Sequence, residues 1–269
     1  MIKIIIPLFL YFTITTFSQD KKGVVFYGQK ESMGMGAPIG VDYTSVLVFN
    51  NNESIYITRN DSIEKKRVHE QKVFKDKNNV HIVTKATNKY GFRYYTNFIK
   101  DSLFSRDIGF TYIKEKKPKI NWIITEETKK IGSYLCIKAT TEFRGRNYSA
   151  WYTPEIAVKY GPWKLQGLPG LILEAYDTKK EVYFYFKSFK YPGTTSVTIN
   201  KPVNQSHKKW INLKEYRKFL INAYLNSINS GRVFAESFNS LDTELNTKYS
   251  LNNSFIENFN ISEFYDKKK

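Results

Sequence analysis

The sequence predicts a mainly β fold: a single curved antiparallel sheet or half-barrel packed on one C-terminal helix. Three observations carry that expectation. Between residues 24 and 190, apolar and aromatic residues recur with period two, the spacing of a strand with one face inward. Most connections between these runs are short, which makes neighbouring strands antiparallel rather than members of βαβ units. Beyond them, one segment has a strong apolar stripe at helical spacing. The 20 Phe, 20 Tyr and 4 Trp among 269 residues fit the same picture, because aromatic side chains suit pleated, half-buried surfaces. A closed barrel or sandwich without an inserted helix is the alternative architecture.

The elements follow in order. Val46 to Phe49 leads into Asn50-Asn51-Asn52, then Ile55 and Ile57 flank Tyr56, giving strand, Asn-rich turn, strand. Residues 80–86 alternate next. Phe92, Tyr94, Thr96 and Phe98 share a face opposite Arg93, Tyr95 and Asn97. Ile120, Trp122 and Ile124 alternate with Asn121 and Ile123, and Leu135, Ile137 and Ala139 with Tyr134, Cys136 and Lys138. A turn at Arg144-Gly145-Arg146-Asn147, where Gly145 can take positive φ, returns the chain through Tyr148, Ala150 and Tyr152. Val182, Phe184 and Phe186 then oppose Tyr183 and Tyr185. These later strands are apolar on both faces, so one face meets the core and the other needs cover or a ligand.

The expected cover is the helix over 213–229. Leu213, Tyr216, Leu220, Ala223 and Tyr224 form its stripe, Asn212 with Glu215 has capping-box spacing, and Ser230-Gly231 supplies a stop. Residues 19–231 are thus expected to form one β-rich domain with its helix. Residues 232–269 form a polar extension expected to be loose or partly disordered, with scattered Phe255, Ile256 and Phe259.

Residues 1–18 read as a secretory signal peptide. Lys3 is a short positive start, residues 4–17 carry no charge, and Thr16 and Ser18 are small residues placed for a cut before Gln19. The apolar run is shorter than the ~20 residues of a spanning helix, and no cysteine near the cut suggests a lipid anchor. The expectation is an exported, periplasmic or secreted, soluble chain that is not an integral membrane protein.

Much chemistry is missing from the sequence. No GxGxxG, Walker loop, GxSxG or HExxH is present, so neither a nucleotide cofactor nor a resident metal is expected. His69, His81 and His207 lack metal-ligand spacing, and one cysteine excludes a disulfide framework. Cys136 lies inside a strand, where a quiet, partly buried thiol is expected. Glu126, Glu127, Glu155, Glu174 and Asp177 read as surface or turn carboxylates rather than an acid–base pair. Met33 and Met35 could offer thioethers to Cu(I), but no further soft ligand lies near. The net charge of +17 is spread along the chain without an arginine-rich helix, so nucleic acid is not an expected partner. A catalytic nucleophile–base constellation is absent, and a non-enzyme is expected.

The densest unusual stretch runs from Trp151 to Asp177. Gly161, Pro162, Gly167, Pro169 and Gly170 fall within ten residues, beside apolar Leu168, Leu171 and Leu173. This predicts a stiff, irregular connection between two strands, with Pro169 fixing φ and Gly170 taking a left-handed position, as in a type II turn. The residues set apart as a structural motif or interaction surface are Trp151, Tyr152, Glu155, Gly161, Pro162, Trp163, Gly167, Leu168, Pro169, Gly170, Leu171 and Ile172. Trp151, Tyr152, Tyr160 and Trp163 are of the type that dominates protein interfaces.

Here the sequence resembles the GLPGLI family, exported envelope proteins of Gram-negative bacteria. The name is spelled by Gly167-Leu168-Pro169-Gly170-Leu171-Ile172. The likeness extends upstream through Ile123 to Gly132, Phe143-Arg144-Gly145-Arg146 and Ala150 to Ile156, with Ala157 where family members often carry Pro. The resemblance implies a protein without established enzyme activity, associated with TonB-dependent outer-membrane transport. That implies an accessory role with an outer-membrane receptor or other envelope protein as partner. A looser similarity to periplasmic lipoprotein carriers, which hold a helix in a curved sheet, implies the alternative: a carrier or binding module for a lipid or other hydrophobic small molecule.

Overall fold

The computed structural model describes residues 22–75, 80–204, 208–238 and 254–259. The expected leader, His207 and most of the expected C-terminal extension lie outside the described residues. Thirteen strands are present among them: β1 (Gly23–Glu31), β2 (Val41–Phe49), β3 (Glu53–Thr58), β4 (His69–Lys75), β5 (Val80–Ala86), β6 (Phe92–Asn97), β7 (Ser102–Asp107), β8 (Thr111–Lys116), β9 (Ile123–Ile131), β10 (Tyr134–Phe143), β11 (Arg146–Thr153), β12 (Leu171–Asp177) and β13 (Val182–Lys190). Helix α1 spans Leu213–Phe238.

Eleven strands form one open antiparallel sheet in the order β8-β7-β6-β3-β2-β1-β13-β12-β11-β10-β9, and β4 and β5 pair as a separate hairpin. The expected mainly β class with one antiparallel sheet and a C-terminal helix is therefore what the chain forms. Two meanders run outward from a central seam where β1 pairs with β13, Val24 opposite Lys190 and Glu31 opposite Val182. Strands β8 and β9 are the two edges, yet residues 117–122 alone connect them. At about 3.3–3.6 Å per residue, that link bridges at most about 25 Å. Eleven flat strands would set their edges about 48 Å apart at roughly 4.8 Å per neighbour. The sheet must curl, which brings its two wings to face each other across a concave interior. Ile120 and Trp122, expected in a strand, belong instead to this connector.

The β10–β11 hairpin turn is as tight as its sequence demands: Arg144 and Gly145 both have positive φ, 53° and 66°. After β13 the chain crosses the outer face, where Val197 and Ile199 pack on Val24, Val46, Val48, Ile55 and Ile57. Trp210 stands edge-on to Phe104 and Tyr112 at 5.3 and 5.4 Å. Residue 211 bridges β8 through Ile211 N to Tyr112 O and Lys114 N to Ile211 O, both 2.9 Å. The crossing delivers α1 to the β8 edge. The capping box forms, with Glu215 N on Asn212 Oδ1 and Asn212 N on Glu215 Oε2, both 2.9 Å.

Two expectations about the helix need correction. It does not stop at Ser230-Gly231 but continues to Phe238, because a helix of this length tolerates one glycine at a cost of about 1 kcal/mol. Nor does it cover the whole apolar face. Its buried Tyr216, Leu220 and Ile221 pack with Ile113 and Phe259 as a cluster of their own at the β8 edge. The main core, between the wings, is closed by the irregular segment 154–170 instead.

Candidate functional site

The segment between β11 and β12 folds into the concavity because nearly every one of its consecutive side chains from Tyr160 to Gln166 is buried. A regular helix could not do this, since it buries only one stripe. An irregular chain can, provided its backbone groups find partners. They do: Leu165 N reaches Pro162 O, Gly167 N reaches Lys159 O, Leu171 N reaches Ile156 O and Ile172 N reaches Tyr160 O, all at 3.0 Å. Tyr27 OH donates to Ile172 O at 2.7 Å and Trp122 Nε1 to Gln166 O at 2.8 Å, tying the segment to the seam and to the edge connector.

Trp163 is the centre of this plug. Its ring lies 6.5 Å from Tyr94 on one wing, and 5.7 and 6.5 Å from Phe143 and Tyr148 on the other. Its φ of 55° is unusual for a bulky residue, so packing from both wings holds a strained backbone in place. Tyr160 lies tilted against Phe49 at 4.9 Å and stands edge-on to Phe98 at 5.0 Å, while its hydroxyl donates to Asn50 O at 2.8 Å.

The residues singled out from the sequence divide sharply by exposure. Trp151, Tyr152, Trp163, Leu168, Leu171 and Ile172 are buried, as are Gly161, Pro162 and Gly170. Lys129 Nζ sits 4.3 Å over the Trp151 ring. Glu155, Gly167 and Pro169 are exposed, and Glu155 accepts the Leu135 amide at 2.8 Å. The interface-type aromatics are thus buried, Trp151 beneath the Lys129 and Lys138 ammoniums. The type II turn also needs correction. Gly170 does not have positive φ; Gly167 does, at 97°. Gly170 is required for close approach, since a Cβ there would collide with the carbonyl of Thr153.

Beside Trp163 lies a feature that sequence reading missed. The Lys164 side chain is wholly buried and its ammonium pairs with Glu115 at 2.6 Å and with Glu257. Arg144 pairs with Glu115 as well, and its Nε lies 3.6 Å from Glu257 Oε2. Arg146 donates to Asp177 at 2.7 Å and Glu181 at 3.3 Å. Burial would raise the pKa of the Glu257 carboxyl, but Lys164 and Arg144 outweigh it and hold it below the ordinary range. Arg144, Arg146 and Glu115 flank strands or turns in the sequence, where charge reads as surface. The one available signal was Lys164 itself, a lone charge between Trp163 and Leu165 in an apolar run.

At one end of the interior a half-open cavity of about 280 Å³ remains. Arg59, Tyr43, Met33, Tyr94, Asp107 and Tyr216 line it, with residues 254–257 as one wall. Arg59 pairs with Glu31 and lies between the rings of Tyr43 and Phe92, 4.8 and 4.7 Å from their centres. Burial pushes the Asp107 carboxyl up, although it accepts Tyr94 OH at 2.9 Å and Ile108 N at 2.8 Å. Two shallower grooves, of about 270 and 330 Å³, flank the Ile156-Ala157-Val158 stretch at the rim. No group of residues suited to a metal ion is found among the described residues. Cys136 is buried and its thiol is pushed up to about 11 by burial, which suppresses the reactive thiolate. No described helix is long and apolar enough to cross a membrane.

The plug is also where the comparisons with known proteins fall. The model of a family described as a protein of unknown function, Porph_ging, matches residues 141–174, from the end of β10 through β11 and the plug into β12. No curated protein matches the sequence. Two solved structures of PNGF-II, in the P21 and C2 space groups, are similar at a TM-score of 0.42 and 17% identity. They are matched over 74% and 73% of this chain and 32% of their own, so the chain spans about a third of their length. A likeness at that level carries no functional argument.

Proposed function

We propose that this chain is a non-enzymatic accessory protein of the bacterial cell envelope, a member of the GLPGLI family. On this reading it is exported by its cleaved leader and docks on an outer-membrane receptor of the TonB-dependent transport class. The observation that carries the reading is the filled concavity. A lipid carrier needs open apolar space between sheet and cover, and here Tyr160, Trp163, Leu165 and Leu168 occupy that space. The cavity of about 280 Å³ at one end of the interior is at the small end of ligand sites and is lined partly by charge. Recognition is left to the rim and loops, where Tyr191 is 56% exposed beside the groove at Ile156 and Val158.

The test is affinity purification from the native envelope followed by native mass spectrometry. A co-eluting outer-membrane receptor is expected, with this chain starting at or within two residues of Gln19. A bare monomer under gentle conditions, or uncleaved chain in the inner membrane, overturns the reading. The cavity beside Arg59 favours a second reading, a binding module for a small amphipathic molecule, and a bound small molecule without a protein partner would select it.

A further inference from the structure

Residues 254–259 are seated on the molecule by an unusually specific set of groups. Arg146 Nη2 donates to the Phe255 carbonyl at 2.8 Å, and Glu257 takes the Lys164 ammonium. Asn258 N donates to Arg144 O and Asn258 Nδ2 to Gly145 O, both at 3.0 Å. Phe259 fills the cluster beside α1, with the Arg217 guanidinium 5.1 Å from its ring centre. Ile256 packs against the main core. One carboxylate between two apolar anchors, held through side chains and carbonyls, is how a folded domain grips a peptide.

The receiving side calls for an anion. Lys164 is wholly buried and the Arg144 side chain only 9% exposed, and Glu115 is the one carboxylate they share besides Glu257 among the described residues. Buried charge of this kind needs a matching partner. The chain's own segment meets the need incompletely. Glu257 Oε2 and Arg144 Nε face each other at 3.6 Å, beyond hydrogen-bonding distance, and neither atom has another hydrogen-bond partner among the described residues.

We propose that the groove between the β10–β11 turn, Lys164 and α1 is a recognition site for a carboxylate-bearing peptide segment of a partner protein, which the chain's own residues 254–259 occupy in its absence. The ligand carries Glu or Asp flanked by an aliphatic residue before it and an aromatic residue two places after it, the pattern Ile256-Glu257-Asn258-Phe259. The groove stands on its own geometry, while its partner rests on the docking reading above. Because residues 254–259 belong to the same chain, they compete for the groove as an intramolecular ligand. Casual acidic peptides are thereby excluded, and a partner must offer a better-fitting or locally concentrated segment.

The test uses the full mature chain and a fluorescein-labelled peptide spanning residues 251–262. Unaltered chain is compared with the same chain carrying Glu257→Ala and Phe259→Ala, by fluorescence anisotropy. The altered chain is expected to bind the peptide at least tenfold more tightly, and a peptide with Glu257→Gln is expected to lose at least tenfold. Equal binding by both chains overturns the proposal, as does equal binding of both peptides. So does loss of cooperative melting in the altered chain, which would make the segment a fixed part of the core. A receptor captured from the envelope and not displaced by the peptide would overturn this inference and leave the docking reading standing. Peptide binding without any captured receptor would do the reverse.

Discussion

Helix α1 and the segment 154–170 are two solutions to one problem, covering an apolar sheet. The helix is regular and amphipathic, and it contributes Tyr216, Leu220 and Ile221 to a cluster at one edge. The plug has no regular structure, and it buries seven consecutive residues from Tyr160 to Gln166 between both wings. Regularity satisfies the backbone automatically but commits much of each turn to solvent. Irregularity frees every side chain for burial, at the cost of finding a separate partner for each backbone group. Glycine and proline belong in such a segment because they permit the bends that bring those partners together.

If this contrast is right, the plug is a global element and the helix a local one. The largest effect should follow Trp163→Ala, at about 3–5 kcal/mol, since the indole is the contact shared by Tyr94, Phe143 and Tyr148. Chemical denaturation should show the whole sheet melting earlier in one transition. Loss of helix signal alone would reverse the assignment of roles. Leu220→Ala should cost about 2–3 kcal/mol, and hydrogen exchange should rise in α1 and β8 before the β1–β13 seam is affected.

Two glycines sharpen the comparison within the plug. Gly170→Ala places a methyl against the Thr153 carbonyl and should cost about 1–3 kcal/mol. Gly167→Ala meets no neighbour within 4 Å and should cost about 1 kcal/mol, through its positive φ alone. Equal effects would show that packing around Gly170 is looser than its geometry. The smallest effect concerns pH. A carboxyl held below its unfolded value contributes stability that is fully present above about pH 4.3 and disappears as pH falls through the lowered value. Glu257→Gln should therefore flatten the acid side of the melting-temperature profile and leave its slope near pH 7 unchanged. Asp107, raised by burial, acts in the opposite sense: its contribution to stability is fully present below the unfolded value and is lost as pH rises through the raised folded value.

The sequence was a good guide wherever structure is periodic or terminated locally. The Asn50–Asn52 turn, the Arg144-Gly145 hairpin and the Asn212–Glu215 cap are all written in neighbouring residues. Strands β4, β7 and β8 leave little periodic signal because their apolar alternation is broken by charge, as in His69-Glu70-Gln71-Lys72, or because both faces are polar in part, as in Ser105-Arg106-Asp107. The plug was legible as stiff and apolar, but not as the core cover, because its partners lie on strands far away in the chain. Least legible was the cluster of Lys164, Arg144, Glu115 and Glu257. Burial of charge depends on partners that are 29 to 113 residues apart, and no local pattern announces it.

The seam between β1 and β13 has a consequence for the order of events on a nascent chain. Val24 finds Val48 soon after both have been made, but its other neighbour, Lys190, arrives more than 160 residues later. For most of synthesis the first strand stands as a raw edge, with its hydrogen-bonding groups open to any extended chain. The half-sheet built from it cannot curl shut, since the plug and the second wing are not yet present. Whatever escorts this protein before its last strands are complete must shield the beginning of the fold rather than its end.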